Sequence, residues 1–388
     1  MKSNLLQIIE LVLRRFLRGI NFFQSHQRVL LVCNTPLMAD YLADIFEIFK
    51  NDPHLAFYVL PPLPEESQGA CDYIRRKLPV SVVGWMWAGV LPWNLIIVSD
   101  HCRLPWICRF FPIIFISHGI ETGKLVDGEP YTYGKWSLID KCRPRYSTMF
   151  AASETERMRG LKQNPVLRDT IAVAGILRMD KMMTILHRRD EFRRRRGFRA
   201  DDTVVFVMST WGPNSLFHRM GDIIVEQALR LKEKLSFIFT LHPLEHRLLS
   251  SSERNWGEYM KTFRQDGFVV LDAHEEFESS IAACDVILTD HTSAAFYGAA
   301  AGKPLVYVPL PEDCVEKGFP VWKLQKISPC IKEDASDLYE QILEAKINYP
   351  FNKLAEITLE INSCPGQAAQ RIREQVYSLL DQAKGIRV

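Results

Sequence analysis

The chain has 388 residues, 47% hydrophobic and 24% charged, with a formal net charge of +2. That length exceeds one ordinary core and predicts two domains, and the composition excludes extended disorder. The near-neutral balance excludes a polyelectrolyte partner recognised by bulk charge, although basic residues gather near the N-terminus and again at Arg188–Arg199. Nine scattered cysteines, with no CxxC pair and no Cys/His cluster at zinc spacing, fit reduced thiols in a cytoplasmic protein.

Residues 4–23 alternate apolar side chains with Glu10, Arg14, Arg15 and Arg18, so no uncharged run is long enough to span a bilayer. Two readings fit this amphipathic helix: a surface helix packed on its own domain, or a helix lying in an anionic membrane surface. The arginines beside leucine and phenylalanine tilt the balance to the second. They place the protein in the cytoplasm, peripheral to the inner face of the cell membrane.

Short apolar runs then alternate with helical patterns, the mark of α/β architecture. Strands are expected at 28–33, 56–60, 80–83, 95–99, 112–117, 149–152 and 171–174. An arginine-rich helix, HRRDEFRRRRGF, follows and ends at Gly197. A second series is expected at 203–208, 237–241, 268–271, 286–289 and 305–308. Two such series predict two Rossmann-like domains facing a cleft. The predicted divisions are a helix over 1–25, an N-terminal acceptor domain over 26–185 and a C-terminal donor domain over 186–388. The run Arg193–Arg196 reads as a solvated helix face, since acidic residues flank it and no nucleic-acid motif accompanies it. No nucleic-acid partner is expected.

Three strand ends carry polar groups. In the stretch TDHTSAAFYGAAAGKP a buried strand stops at Thr289, and the chain passes Asp290 and His291 into an alanine-rich helix. Thr292 or Ser293 suits the cap, and free amides at a helix start attract anions. The small alanines let that helix pack closely on the sheet. His242, held before Pro243, follows the strand FIFTL. His118 follows the strand PIIFIS, with Gly119 permitting a sharp turn and Lys124 adding positive charge. Carboxyl ends of parallel strands are where open α/β sheets take ligands, and imidazole takes a proton near neutral pH.

Together these segments resemble the CDP-glycerol glycerophosphotransferase family, which builds teichoic-acid and related polyol-phosphate polymers on GT-B folds. Ser117-His118-Gly119 is similar to its WHG-type motif, His242-Pro243 to its HP motif, and Thr289-Asp290-His291-Thr292-Ser293 to its (S/T)DYSS-type motif. Two further segments fall in order: Gly175–Asp180 resembles G-x-PRxD, and Ser209-Thr210-Trp211 resembles PTW. Ser117 stands where the family has tryptophan, Leu177 and Ser209 where it has proline, and His291 where it has tyrosine.

The resemblance implies a transferase that moves a polyol phosphate from a CDP-activated donor to a hydroxyl of a lipid-linked or glycan acceptor, releasing CMP. His118 would be the general base, and His242 would stabilise charge on the pyrophosphate. Thr292 and Ser293 would hold donor phosphates, with Asp290, His291, Thr210 and Arg178 beside them. No cofactor or metal is expected beyond the nucleotide-activated substrate. Two alternatives stay open: a GT-B glycosyltransferase using a nucleotide sugar, and a non-catalytic nucleotide-binding scaffold.

Overall fold

The computed structural model describes residues 26–383, apart from 64–67, 118–119, 121–124, 127–128, 141, 247–253, 274 and 313. The helix expected over 1–25, and with it the membrane reading of 4–23, lies outside the described residues. So do His118, Gly119 and Lys124.

The chain divides into two compact units. The first comprises residues up to 119, 125–178 and 363 onward, and the second comprises 120–124 and 179–362. In unit 1, β1 (Gln27–Val32), β2 (Leu55–Leu60), β3 (Ser81–Val82), β4 (Leu95–Val98) and β5 (Ile113–Ile116) match the apolar runs read from the sequence. The small hairpins β6 (Leu125–Val126) with β7 (Glu129–Pro130), and β8 (Leu138–Asp140) with β9 (Arg143–Pro144), follow. Then come β10 (Thr148–Ala151) and β11 (Ile171–Val173). The seven long-range partners form one parallel sheet in the order β11-β10-β5-β4-β1-β2-β3. Its central strands β1, β4, β5 and β10 are buried on both faces, which is why they read as continuous apolar runs rather than alternating ones.

One face of this sheet is covered by the helix Pro36–Phe49. Thr35 caps its start by accepting the Met38 amide, and Pro36 occupies the first turn, where its missing N–H costs nothing. Its stripe of Met38, Leu42, Ile45 and Phe49 shares a core with Ile372, Val376 and Leu380 of the helix Ala368–Ala383. The C-terminal helix therefore belongs to unit 1. This corrects the expected division at 185/186 with everything beyond it in one domain: the chain leaves unit 1 after Arg178 and returns at Ser363. Periodicity predicts an apolar stripe on 368–383 but not which sheet receives it.

Unit 2 repeats the plan with β12 (Val204–Ser209), β13 (Ser236–Leu241), β14 (Val269–Val270), β15 (Val286–Thr289) and β16 (Leu305–Tyr307). The parallel order is β14-β13-β12-β15-β16. The order reverses between β12 and β15, so the chain leaving β12 runs to β13 on one side and the chain leaving β15 to β16 on the other, and the space between such connections is the usual ligand position in these sheets. The helix Ala294–Ala300 packs so tightly on β15 that a Cβ added at Gly298 would lie 2.2 Å from Ile287 Cδ1. Close approach to the sheet is thus the reason this helix is made of small residues.

The arginine-rich helix Arg189–Arg195 departs from the expected solvated face. Arg193 is only 1% exposed. Its guanidinium bonds Asp285 at 2.7 Å and the carbonyls of Ala283, Ala200 and Asp202 at 2.8–2.9 Å. Arg196 reaches the hydroxyls of Ser279 and Ser280. These bonds fasten the entry helix of unit 2 to the approaches of β12 and β15. Arg193→Ala takes the buried guanidinium from three carbonyls and from Asp285, which keeps only the Val204 amide and Arg189, and should cost about 3–5 kcal/mol in urea unfolding of unit 2. A loss below ~1 kcal/mol would mean that the guanidinium is not holding this junction.

Candidate active site

The reversal point of unit 2 is organised around Asp290, which has no exposed surface. One carboxylate oxygen accepts the amides of Thr292 at 2.9 Å and Thr210 at 3.1 Å. The other accepts the Leu216 amide at 2.7 Å, the Ser209 hydroxyl at 2.9 Å and again the Thr210 amide at 3.1 Å. Leu216 opens the helix Leu216–Leu231, whose Ser215 caps the His218 amide. Asp290 thus supplies an anion to the positive end of that helix while joining it to the ends of β12 and β15. Burial pushes the carboxyl up from the ordinary carboxylate range, opposed by His291 and by its amide and hydroxyl donors.

This corrects three expectations. Asp290 cannot touch donor phosphates, because it is sealed and its oxygens are occupied. Thr292 is buried, and its hydroxyl accepts the Ala294 amide at 3.3 Å. The amides of Ala295 and Phe296 bond the carbonyls of Thr292 and Ser293 at 3.2 Å. At the start of this helix the amides of Thr292, Ala294, Ala295 and Phe296 are thus spent on the turn itself. Ser293, half-buried, occupies the cap position without a side-chain capping bond.

His291 is half-buried, and its Nδ1 is buried with no hydrogen-bond partner among the described residues. Burial pushes its pKa down, with Arg219 acting in the same direction and Asp290 opposing, so the ring is neutral at neutral pH. Arg219 lies one turn into the helix from Leu216 and donates to the Pro309 carbonyl.

A second carboxylate organises the end of β13. Glu245, 5% exposed, accepts the Gly212 amide at 2.9 Å and lies 3.0 Å from His218 Nε2. It ties the Trp211-Gly212 turn to the loop carrying His242. The Leu244 amide donates to His242 Nδ1 at 3.2 Å. That bond leaves the hydrogen on Nε2, so His242 presents an N–H donor. The Trp211 ring, 40% exposed as a residue, stands 6.1 Å from the His242 ring. The sequence analysis singled out none of His218, Glu245 and Arg219. The only signal was Glu245 falling two residues after the His-Pro pair.

In unit 1, Arg178 lies over the Tyr41 ring at 5.4 Å and lines a pocket with Asp44, Ser117, Glu156 and Gly175. Arg178 thus stands at the strand ends of unit 1, whereas Thr210 and Asp290–Ser293 belong to unit 2. Beside this region His101, which follows β4, stacks on Phe115 at 4.9 Å. Its Nδ1 accepts from the Tyr146 hydroxyl at 2.7 Å, and its Nε2 donates to the Thr132 carbonyl at 3.1 Å.

The comparisons with known proteins follow the same lines. Residues 134–314 match the family described as CDP-Glycerol:Poly(glycerophosphate) glycerophosphotransferase. No curated protein matches. Among solved structures, the wall teichoic acid polymerase TagF aligns with a TM-score of 0.63 at 12% identity, over 98% of this chain and 97% of that one. The UDP-GlcNAc 2-epimerase of Neisseria meningitidis bound to UDP-GlcNAc aligns at 0.59 and 14% identity, over 91% and 100%. S. aureus MnaA with UDP aligns at 0.56 and 13% identity, over 92% and 97%. At these identities the structures establish the shared GT-B-type α/β fold.

Asp290→Asn keeps the shape but turns two donors toward amides, and should cost about 2–4 kcal/mol in urea unfolding. A change under ~0.5 kcal/mol would show that the carboxylate is dispensable. A separate test uses His101, whose pKa burial pushes down from 6.5 to about 4. Between those values the unfolded chain binds more protons than the folded one. The stabilisation is thus complete above ~6.5 and lost as pH falls toward ~4, at most about 3 kcal/mol. His101→Phe should flatten that part of the stability–pH curve; an unchanged curve would contradict the buried neutral ring. Residues 134–314 thus match the model of the CDP-glycerol:poly(glycerophosphate) glycerophosphotransferase family, the one the strand-end motifs resemble.

Proposed function

We propose that this protein is a transferase that moves a polyol phosphate, such as glycerol phosphate, from a CDP-activated donor to a hydroxyl of a cell-wall or lipid-linked glycan. The acceptor oxygen attacks the β-phosphorus of the donor. The bond from that phosphorus to the bridging oxygen breaks, and CMP leaves carrying the bridging oxygen and its charge. His118 takes the proton of the acceptor hydroxyl.

What carries this reading is the fixed tautomer of His242 at a strand end beside the reversal point of unit 2. An Nε2–H donor placed there can hydrogen-bond the pyrophosphate and stabilise the charge that develops on the leaving phosphate, which is most of what phosphoryl transfer asks of a protein. Ser293 would add a hydrogen bond to the donor, with the half-buried His291 ring beside it, and the exposed Trp211 ring would pack against its base or ribose. Arg178 would act on the unit 1 side. Asp290, Thr210, Glu245 and Thr292 act by holding these groups in place.

The epimerase bound to UDP-GlcNAc and MnaA with UDP keep nucleotide-sugar chemistry as the second reading. Incubation with CDP-glycerol, CDP-ribitol and a set of nucleotide sugars separates the two. CMP release with a CDP-alcohol is expected, whereas release of UDP or GDP alone would overturn the assignment. His118→Ala and His242→Ala should each lower turnover by roughly 10²–10⁴-fold with folding intact. Full activity in either variant would remove that histidine from the mechanism.

A further inference from the structure

Several arginines of unit 2 sit against carboxylates: Arg189 and Arg193 against Asp285, Arg254 against Asp222, and Arg264 against Asp272. Arg219 does not. It is half-buried one turn into the helix Leu216–Leu231, and its guanidinium donates to a neutral group, the carbonyl of Pro309. Among the described residues no carboxylate lies within ion-pair distance of it. Glu312 and Glu316, on the loop beyond Pro309, are exposed and do not reach it. Asp290 is sealed, and its oxygens take amides and a hydroxyl instead. A guanidinium keeps its charge at any ordinary pH, and drawing it partly out of water without a counter-charge costs free energy. A cation held in this way has room for an anion that the chain does not supply.

Its neighbours fix where that anion would lie. The Leu216 amide is tied to Asp290, just after β15, and the Val308 amide, just before Pro309, bonds the Thr289 carbonyl at 3.0 Å. Arg219 therefore reaches over the carboxyl ends of β15 and β16. Its charge acts on His291, helping to hold that ring neutral. His242 follows β13, on the far side of β12, and three strand spacings, roughly 14 Å, separate the ends of β13 and β16. A nucleoside diphosphate that meets His242 through the phosphate next to its ribose turns its outer phosphate toward β15 and β16.

We propose that Arg219 is a phosphate-binding residue that takes the outer phosphate of a nucleoside diphosphate, the phosphate carrying the group to be transferred. This rests on reading unit 2 as the nucleotide site. Parallel N–H groups of the guanidinium fork can bond two oxygens of one phosphate. Negative charge spreads over those oxygens as the phosphoryl group moves, so the contact favours transfer as well as binding. A nucleoside monophosphate ends short of Arg219. The leaving nucleotide thus lacks the contact that held the donor, and is released more readily.

Titration calorimetry of the full-length protein with CMP, CDP, UMP and UDP tests this, followed by turnover with CDP-glycerol. Wild-type protein should bind the diphosphate of its preferred base more tightly than the monophosphate. Arg219→Gln should weaken that diphosphate at least ~10-fold and change the monophosphate by less than ~3-fold. Arg219→Lys keeps the charge and a donor for the Pro309 carbonyl, and should recover part of the loss, remaining ~3–10-fold weaker for the diphosphate alone. That variant decides the matter if Arg219→Gln fails to fold. Equal weakening of mono- and diphosphate would make Arg219 a structural residue and overturn the proposal. Unchanged diphosphate binding in both variants would do the same, as would wild-type protein that binds neither diphosphate better than its monophosphate. A diphosphate effect seen with UDP and not with CDP would uphold Arg219 while overturning the CDP-alcohol donor.

Discussion

One buried carboxylate sets the geometry of the second unit. Asp290 gathers the amides of Thr210, Leu216 and Thr292 and the hydroxyl of Ser209. It thereby fixes the end of β12, the start of the helix Leu216–Leu231 and the turn out of β15 at the place where the strand order reverses. A carboxylate so placed is expensive to bury, and it persists because each oxygen receives donors that would otherwise be unsatisfied. The side chains proposed to meet a ligand in this unit hang from segments that Asp290, or its counterpart Glu245, restrains. Charge that would repel a phosphate if exposed becomes, once buried, the means of aiming neutral hydrogen-bond donors at one.

The division of labour between the two acids is consistent. Glu245 restrains the Trp211-Gly212 turn and His218, next to the loop that presents His242. The Leu244 amide then fixes the His242 tautomer. In the proposed site the groups offered to the donor are an imidazole N–H, a hydroxyl and an indole face, with the acids behind them. Such a site stabilises developing negative charge by fixed dipoles and needs little rearrangement during the reaction.

Much of this was legible in the sequence, for a definite reason. Strands buried on both faces, such as VVFVMS in β12 and LIIV in β4, are continuous apolar runs, and ligand groups sit at their carboxyl ends. The hairpins β6–β9 were not legible, since strands of two or three residues carry no period. Nor was the return of the helix Ala368–Ala383 to unit 1, because an apolar stripe does not name its partner. Arg193 looked solvated because a charge run says nothing of Asp285, ninety-two positions away. Asp290 and Thr292 looked like ligand groups for the same reason: their partners are set by tertiary hydrogen bonds that no local pattern encodes. Arg178 is the last residue before the chain changes unit, which no local pattern marks.

The most direct test is a crystal structure of the protein soaked with CDP-glycerol. The account predicts the pyrophosphate within about 3 Å of His242 Nε2, beside Ser293 and His291, with Asp290 still bound to its amides. A pyrophosphate held away from the ends of β12, β13 and β15, or in contact with Asp290 itself, would contradict it.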